Sequence, residues 1–235
     1  MVIAAPRIWI TRALPGAEET AGRLRAMALP VLVDPLLAVV PLSPSVDLDG
    51  VAALAFTSVN GVEAFARLSA VRDRPVFAVG ERTARAAREA GFGEVASADG
   101  DVGALAALIT ARASGIGGEV LVPGALEPAG DLISPLVAAG LKARRLAVYE
   151  TVERDPAPET LDQLGSLAAV LLHSPRAAGK LARVLEARPA PSLRALCLSP
   201  SVAAPLETLV QTGRLDSVTS APHPTETALL DLLTT

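Results

Sequence analysis

Short apolar runs recur along the chain, each closed by glycine, proline or a hydroxyl-bearing turn and followed by a stretch with helical spacing. Extended segments are expected over 7–11, 31–40 with an interruption at Pro35, 51–56, 76–79, 119–122, 145–152, 168–172 and 193–198, and near Val218. Helical spacing falls over 18–27, 62–68, from Gly80 to Gly91, and over 104–111, 131–139, 176–186, 202–211 and 225–233. The proline- and serine-rich 41–50 and the break at 155–158 read as linkers. Strands alternating with helices imply parallel sheets covered by crossover helices. The fold class expected is therefore α/β.

The junction from Val76 to Gly91 sets the chemistry. A buried strand stops at Gly80, and an alanine-rich helix starts at once, with Glu81 and Thr83 in its first turn. Free N–H groups and the positive end of the helix dipole then face whatever lies above the strand end. Such a junction can hold a carboxylate or phosphate without a formal charge, although a bare connection has the same sequence. The pattern also repeats. Ile8-Trp9-Ile10, then Ala13-Leu14 and Leu24, matches Val120-Leu121-Val122, then Ala125-Leu126 and Leu136. Phe56-Thr57-Ser58 matches Leu172-His173-Ser174, and Ala78-Val79-Gly80 matches Cys197-Leu198-Ser199. A period of roughly 110–120 residues suits a duplicated domain. The proline-flanked segments 31–40 and 145–152 occupy equivalent places and are expected to cross between the copies.

Composition narrows the function. The 235 residues are 51% hydrophobic but only 3% aromatic, so the core must be built from Ala, Leu and Val. No apolar run reaches the ~18–20 residues of a membrane span, and no charged, apolar leader opens the chain, so a cytoplasmic protein without a membrane partner is expected. The net charge of −4 argues against general nucleic-acid binding. The single cysteine, Cys197, excludes an internal disulfide and a cysteine-cluster metal site, and His173 and His223 alone are too few for zinc. Neither Ser58 nor Ser174 sits in a nucleophile elbow, and the glycine-rich 114–118 precedes a strand, so it is not a dinucleotide loop. Cys197 reads as a small core residue, and Arg82, Arg85 and Arg88 as a solvated helix face.

Tyr149 is the only tyrosine. In the alternating 147–151 it shares a face with Ala147 and Thr151, opposite Val148 and Glu150. Its phenol is either packed at an edge or available as a hydrogen-bond donor that offers a proton to a departing hydroxyl.

Phe56-Thr57-Ser58-Val59-Asn60-Gly61-Val62, Val79-Gly80-Glu81-Arg82-Thr83-Ala84 and the helix-closing Gly91 resemble uroporphyrinogen-III synthase. So do Thr11-Arg12, Tyr149-Glu150-Thr151 and Pro224-Thr225, in the family's order over nearly the whole chain. The resemblance implies two similar parallel-sheet α/β lobes with a cleft between them: lobe 1 from 1–38 and 153–235, lobe 2 from 42–146, joined by a two-stranded linker near 36–41 and 147–152. It implies a monomeric, cofactor-free and metal-free lyase that cyclises the linear tetrapyrrole hydroxymethylbilane, a carrier of eight carboxylates, with inversion of the last ring. Carried over by position, Tyr149 assists departure of the substrate hydroxyl, and Thr83, Thr57, Ser58, Arg12 and Ser174 contact substrate. Where the second-repeat threonine is expected stands Val202, with Ser199 in place of glycine; Ser201, one position earlier, is the substitute hydroxyl. The alternative is a non-enzymatic two-lobed module that binds a small anion.

Overall fold

The computed structural model describes residues 7–234. The chain divides into two compact units: one combines the chain up to Ala38 with the chain from Val152 onward, and the other is Val39–Thr151.

The first unit is built on strands β1 (Ile8–Ile10) and β2 (Val31–Val33), separated by helix α1 (Gly16–Ala26). The second unit follows β3 (Leu37–Pro41) with β4 (Val51–Phe56), α2 (Val59–Leu68), β5 (Val76–Ala78), α3 (Glu81–Glu89), β6 (Val95–Ser97) and α4 (Val102–Ala111). It ends with β7 (Glu119–Ala125), α5 (Ile133–Ala138) and β8 (Lys142–Glu153), whose last residues re-enter the first unit. There follow α6 (Pro158–Asp162), β9 (Ala169–Leu172), α7 (Pro175–Ala187), β10 (Ala190–Cys197), α8 (Pro200–Ala203), α9 (Glu207–Gln211), β11 (Leu215–Ser220) and α10 (Glu226–Asp231).

The five-stranded sheet runs β11-β10-β9-β1-β2 and the six-stranded sheet β6-β5-β4-β7-β8-β3. The first five positions of the two orders correspond, strand for strand. All pairs from β11 to β2 and from β6 to β8 are parallel. Parallel strands with crossover helices are covered on both faces, which is why they read as unbroken apolar runs. Alternation still decides which core each side chain joins. Trp9, Val170, Leu172, Ala195 and Cys197 enter the core under α7, while Ile8, Ile10, Ala169, Leu171 and Leu196 enter the one under α1 and α10. In the second unit Leu54, Phe56 and Leu121 pack beneath α2 and α3, and Ala53, Ala55 and Val122 beneath α4 and α5. Phe56 meets Phe65 and Phe92 at steep ring angles with centroids 5.9 and 6.0 Å apart, so three of the four phenylalanines sit in one cluster.

Several elements differ from the expectation. The extended 31–40 is two strands in different sheets, and only β3 lies beside β8. Pro35 lacks an N–H, and the chain turns there: the Trp9 indole N–H donates to the Asp34 carbonyl at 2.8 Å, and the Asp34 carboxylate accepts from Ala157 N–H at 2.8 Å. The helix expected over 202–211 begins at Pro200 and is broken by a 3₁₀ turn over Ala204–Leu206, where Pro205 removes a donor. Residues 131–132 precede α5, because the Asp131 carboxylate accepts from Ile133 and Ser134 N–H at 2.9 and 3.1 Å. The short strands β2 and β6 and the brief α6 carry too few residues for a clear period.

Candidate active site

Both sheets end, at the carboxyl edge, in loops that lead straight into helices. Parallel open sheets bind ligands at that edge, above the point where successive strands depart in opposite directions. Those points lie between β9 and β1 in the first unit and between β4 and β7 in the second.

In the second unit the edge is hydroxyl-rich. Ser58 caps α2, its Oγ accepting from Gly61 N–H at 3.1 Å. A Cβ on Gly61 would stand 2.9 Å from the Pro123 carbonyl oxygen, so only glycine lets α2 approach β7 this closely. The Ser58 hydroxyl pairs with the Tyr149 phenol at 3.0 Å. Tyr149 is buried, and a register shift between β7 and β8 explains its aim: Gly124 pairs with Ala147, but the next residue, Ala125, pairs with Tyr149. Val148 is the extra residue. Strict alternation would send Val148 and Tyr149 to opposite faces; the irregularity brings both into one core cluster, a correction to the expected pattern.

Thr57, Ser58 and Tyr149 line one cavity of about 180 Å³. Its walls are apolar, from Val102, Val122, Leu132 and Ile133, and Gly124 forms part of it. Arg145 is its only charged lining residue and is exposed at the rim, its Nη2 donating to the carbonyls of Ala125 and Leu126 at 3.1 and 2.8 Å. Asp131, outside the lining, lies close enough to feel that charge; bonds from Ser134 above all, then from Ile133, and the charge of Arg145 hold its carboxyl below the usual range against the opposing effect of burial.

The first unit fills the corresponding place with side chains. Glu226, in the first turn of α10, is held by Arg12 Nη1 at 3.1 Å, by Thr20 Oγ1 at 2.5 Å and by His173 Nε2 at 2.9 Å. Burial pushes its pKa up, but hydrogen bonds from His173 and Thr20 and the charges of His173 and Arg12 outweigh that and take it down to about 2. A Cβ on Gly16 would come within 2.6 Å of Arg12 Nε, so a larger residue there would push the guanidinium aside. The equivalence of the units makes the exchange residue by residue. Continuing the register that matches Ile10 with Val122 places Arg12 opposite Gly124 and Thr20 opposite Leu132. Thr57 corresponds to His173. Asp101 and Thr225, which cap α4 and α10 alike, bring Val102 opposite Glu226.

Of the residues singled out from sequence, Tyr149, Thr57 and Ser58 therefore meet in one cavity. Thr83 is buried in the first turn of α3, whose N-cap is Gly80, and does not line that cavity. Arg12, Ser174 and Ser201 stand at the carboxyl edge of the other sheet: Arg12 in the ion pair, Ser174 capping α7 through Ala177 N–H at 3.3 Å, and Ser201 exposed, 2.9 Å from the Ser199 hydroxyl. Val202 is buried like Thr83, its counterpart. Glu226, Thr20, Gly124 and Arg145 were missed. Pro-Thr-Glu at 224–226 does signal a capped acidic helix start, but nothing local says that its carboxylate meets an arginine 214 residues away. Arg85 and Arg88 pair with Glu89 and Glu81 on an exposed face.

Residues 18–231 match the family model described as Uroporphyrinogen-III synthase HemD. The chain belongs to this family. The uroporphyrinogen-III synthetase of Helicobacter pylori is 18% identical, with a TM-score of 0.63 over 97% of this chain and 98% of that one. A mutant uroporphyrinogen-III synthase of Thermus thermophilus is also 18% identical, with a TM-score of 0.52 over 98% of each chain. At that identity they show a shared fold, two sheets in mixed α/β order. No curated protein matches the sequence. Among the described residues no helix is long and apolar enough to cross a membrane, and no three His, Cys, Asp or Glu side chains converge as a metal site would need.

Cys197 ends β10 at the carboxyl edge of the first unit's sheet, where a thiolate would be a nucleophile, but burial pushes its thiol up to about 12. The native protein should resist iodoacetamide at pH 8 and become alkylated only on unfolding; mass spectrometry that found rapid native labelling would contradict this burial.

Proposed function

We propose that the chain is a cofactor-independent lyase that closes hydroxymethylbilane to uroporphyrinogen III with inversion of the last ring, working as a cytoplasmic monomer. The match of residues 18–231 to the family carries this reading. The chemistry at hand supports it. Ser58 accepts Gly61 N–H, and either hydroxyl can donate in its 3.0 Å pair with Tyr149; in the arrangement where Ser58 donates, the phenolic hydrogen is offered outward. Tyr149 would donate that proton as the substrate C–O bond breaks, so that hydroxide leaves as water. The bridge-bearing carbon of the last ring then bonds to the freed methylene carbon, that ring's bond to its old bridge breaks, and the bridge carbon so released bonds to the ring's unsubstituted carbon, whose lost proton restores the phenol. Between these steps the hydrogen bond from Ser58 stabilises the phenolate. Holding the two chain ends in attack geometry supplies the rest, since closure without inversion must be outrun. Thr57, Thr83, Arg12, Ser174 and Ser201 are proposed to contact the substrate's carboxylates, together with backbone N–H groups of the helix starts.

The test is direct. Purified protein is incubated with hydroxymethylbilane, the product oxidised and the porphyrin isomers separated; the type III isomer should predominate. Type I alone, as in a blank, would end the cyclase reading.

A further inference from the structure

The two units share strand order and helix capping, yet at one switch point Arg12, Thr20, His173 and Glu226 bond to one another, and at the other a cavity opens. The difference lies in the sequence. Where the first unit has Arg12, Thr20 and Glu226, the second has Gly124, Leu132 and Val102. Two charges and a hydroxyl are thus replaced by apolar or absent side chains, and a cavity of about 180 Å³ results. Gly124 does not need to be glycine for backbone reasons. It has no positive φ, and the nearest heavy atom to a Cβ there is Thr57 Oγ1 at an ordinary 4.0 Å. The space above it is open.

Size and lining then say what fits. Pockets for whole drug-sized ligands start near ~300 Å³, whereas an apolar cavity of about 150 Å³ holds a benzene ring. This one therefore suits a single small ring. Apolar walls match the ring faces, the paired Ser58 and Tyr149 hydroxyls offer hydrogen-bonding groups, and Arg145 at the rim suits an acidic arm that reaches toward solvent. Eight carboxylates spread over four rings give each pyrrole of the substrate about two such arms, a chemistry that follows from the cyclase reading on which this inference rests.

We propose that the cavity lined by Thr57, Ser58, Gly124, Leu132 and Tyr149 seats one pyrrole ring of the tetrapyrrole, and that the first unit has no equivalent seat because Glu226 and its partners occupy it. The enzyme accordingly binds one isolated monopyrrole per chain. The seat lies against Tyr149, so its occupant is the ring whose substituent receives the phenol's proton.

The single tyrosine makes this measurable without turnover. Protein carrying ¹³C-labelled tyrosine shows one ring environment, and titration with a monopyrrole bearing one acetate and one propionate arm should move that signal saturably, with one site per chain. Gly124→Val, which fills the seat without touching backbone, should weaken binding by about tenfold or more while the circular dichroism spectrum and melting temperature stay close to wild type. Gly124→Ala, which fills less, should fall between and guards against a misfolded valine variant. A wild-type signal that never saturates, or equal affinity in all three proteins, overturns the seat even if type III isomer is formed. Saturable binding that Gly124→Val removes, with only type I isomer formed from hydroxymethylbilane, retains the seat and overturns the cyclase reading instead.

Discussion

Glu226→Ala should destabilise the first unit by about 3 kcal/mol at pH 7, the low end of the cost of breaking a largely buried ion pair from one side. The loss is large because three donors converge on one carboxylate and are all left facing a void. The Arg12 and Glu226 side chains are only 25% and 19% exposed, so water can replace little of what is removed. His173 is worse placed still, since its Nδ1 is already buried without a partner and Nε2 would join it. The same carboxylate makes stability depend on pH. Its pKa falls from 4.5 to about 2 on folding, so the folded state binds the proton less tightly than the unfolded one. The contribution is fully present above about pH 4.5, and it declines as pH drops toward about 2. A shift of this size corresponds to about 3 kcal/mol, in line with the mutational estimate. Urea unfolding of wild type and Glu226→Gln, which keeps the shape and removes the charge, should show a gap at pH 7 that narrows steadily as the pH falls below the ordinary carboxylate range. A gap that did not change with pH would mean that shape, not charge, holds the cluster.

Adding Arg12→Leu to Glu226→Leu should recover much of what the single Glu226→Leu loses, because the guanidinium no longer stands unpaired. The second unit makes the same argument by construction, having an apolar lining in this place. Duplicated frameworks can thus carry opposite solutions at one position: a self-satisfied polar cluster in one, an open apolar seat in the other.

The alternation of elements and the repeat were legible because parallel strands buried on both faces leave continuous apolar runs that glycine and proline punctuate. Val76 to Gly91 folds as β5, a turn at Gly80 and α3, as its pattern implies. What sequence could not give was mostly a matter of distance. The 31–40 segment looks like one extended run because its dihedral preferences are uniform, and only pairing partners far along the chain assign β2 to one sheet and β3 to the other. Glu226 was invisible as a site residue for the same reason: its three partners lie 214, 206 and 53 positions away. Conversely, Thr57, Ser58 and Tyr149 were singled out from short motifs, and the structure adds that they line one cavity and that Ser58 and Tyr149 touch. The register shift that turns Tyr149 toward Ser58 leaves no trace in the alternation of 147–151, because Val148 and Tyr149 are both acceptable on a buried face.

That contact yields the strongest expectation for activity. Tyr149→Phe should lower kcat by about 100-fold, the low end for loss of a positioned proton donor, with little change in KM because the ring that lines the cavity remains. Ser58→Ala should reproduce part of the loss, since the phenol keeps its proton but loses the partner that would carry charge from it. If the two hydroxyls act as one relay, the double variant should be no slower than Tyr149→Phe alone; independent roles would multiply the two effects. Ser58→Ala also removes a helix cap and should cost about 1 kcal/mol of stability, so rates belong well below the melting transition. Cys197→Ala is the matched control: its side chain is fully buried in β10, it touches no part of the cavity, and its rate should stay near wild type. Rates for Tyr149→Phe and Cys197→Ala that could not be told apart would remove the phenol from the reaction, and positioning alone would then have to account for the choice between closures.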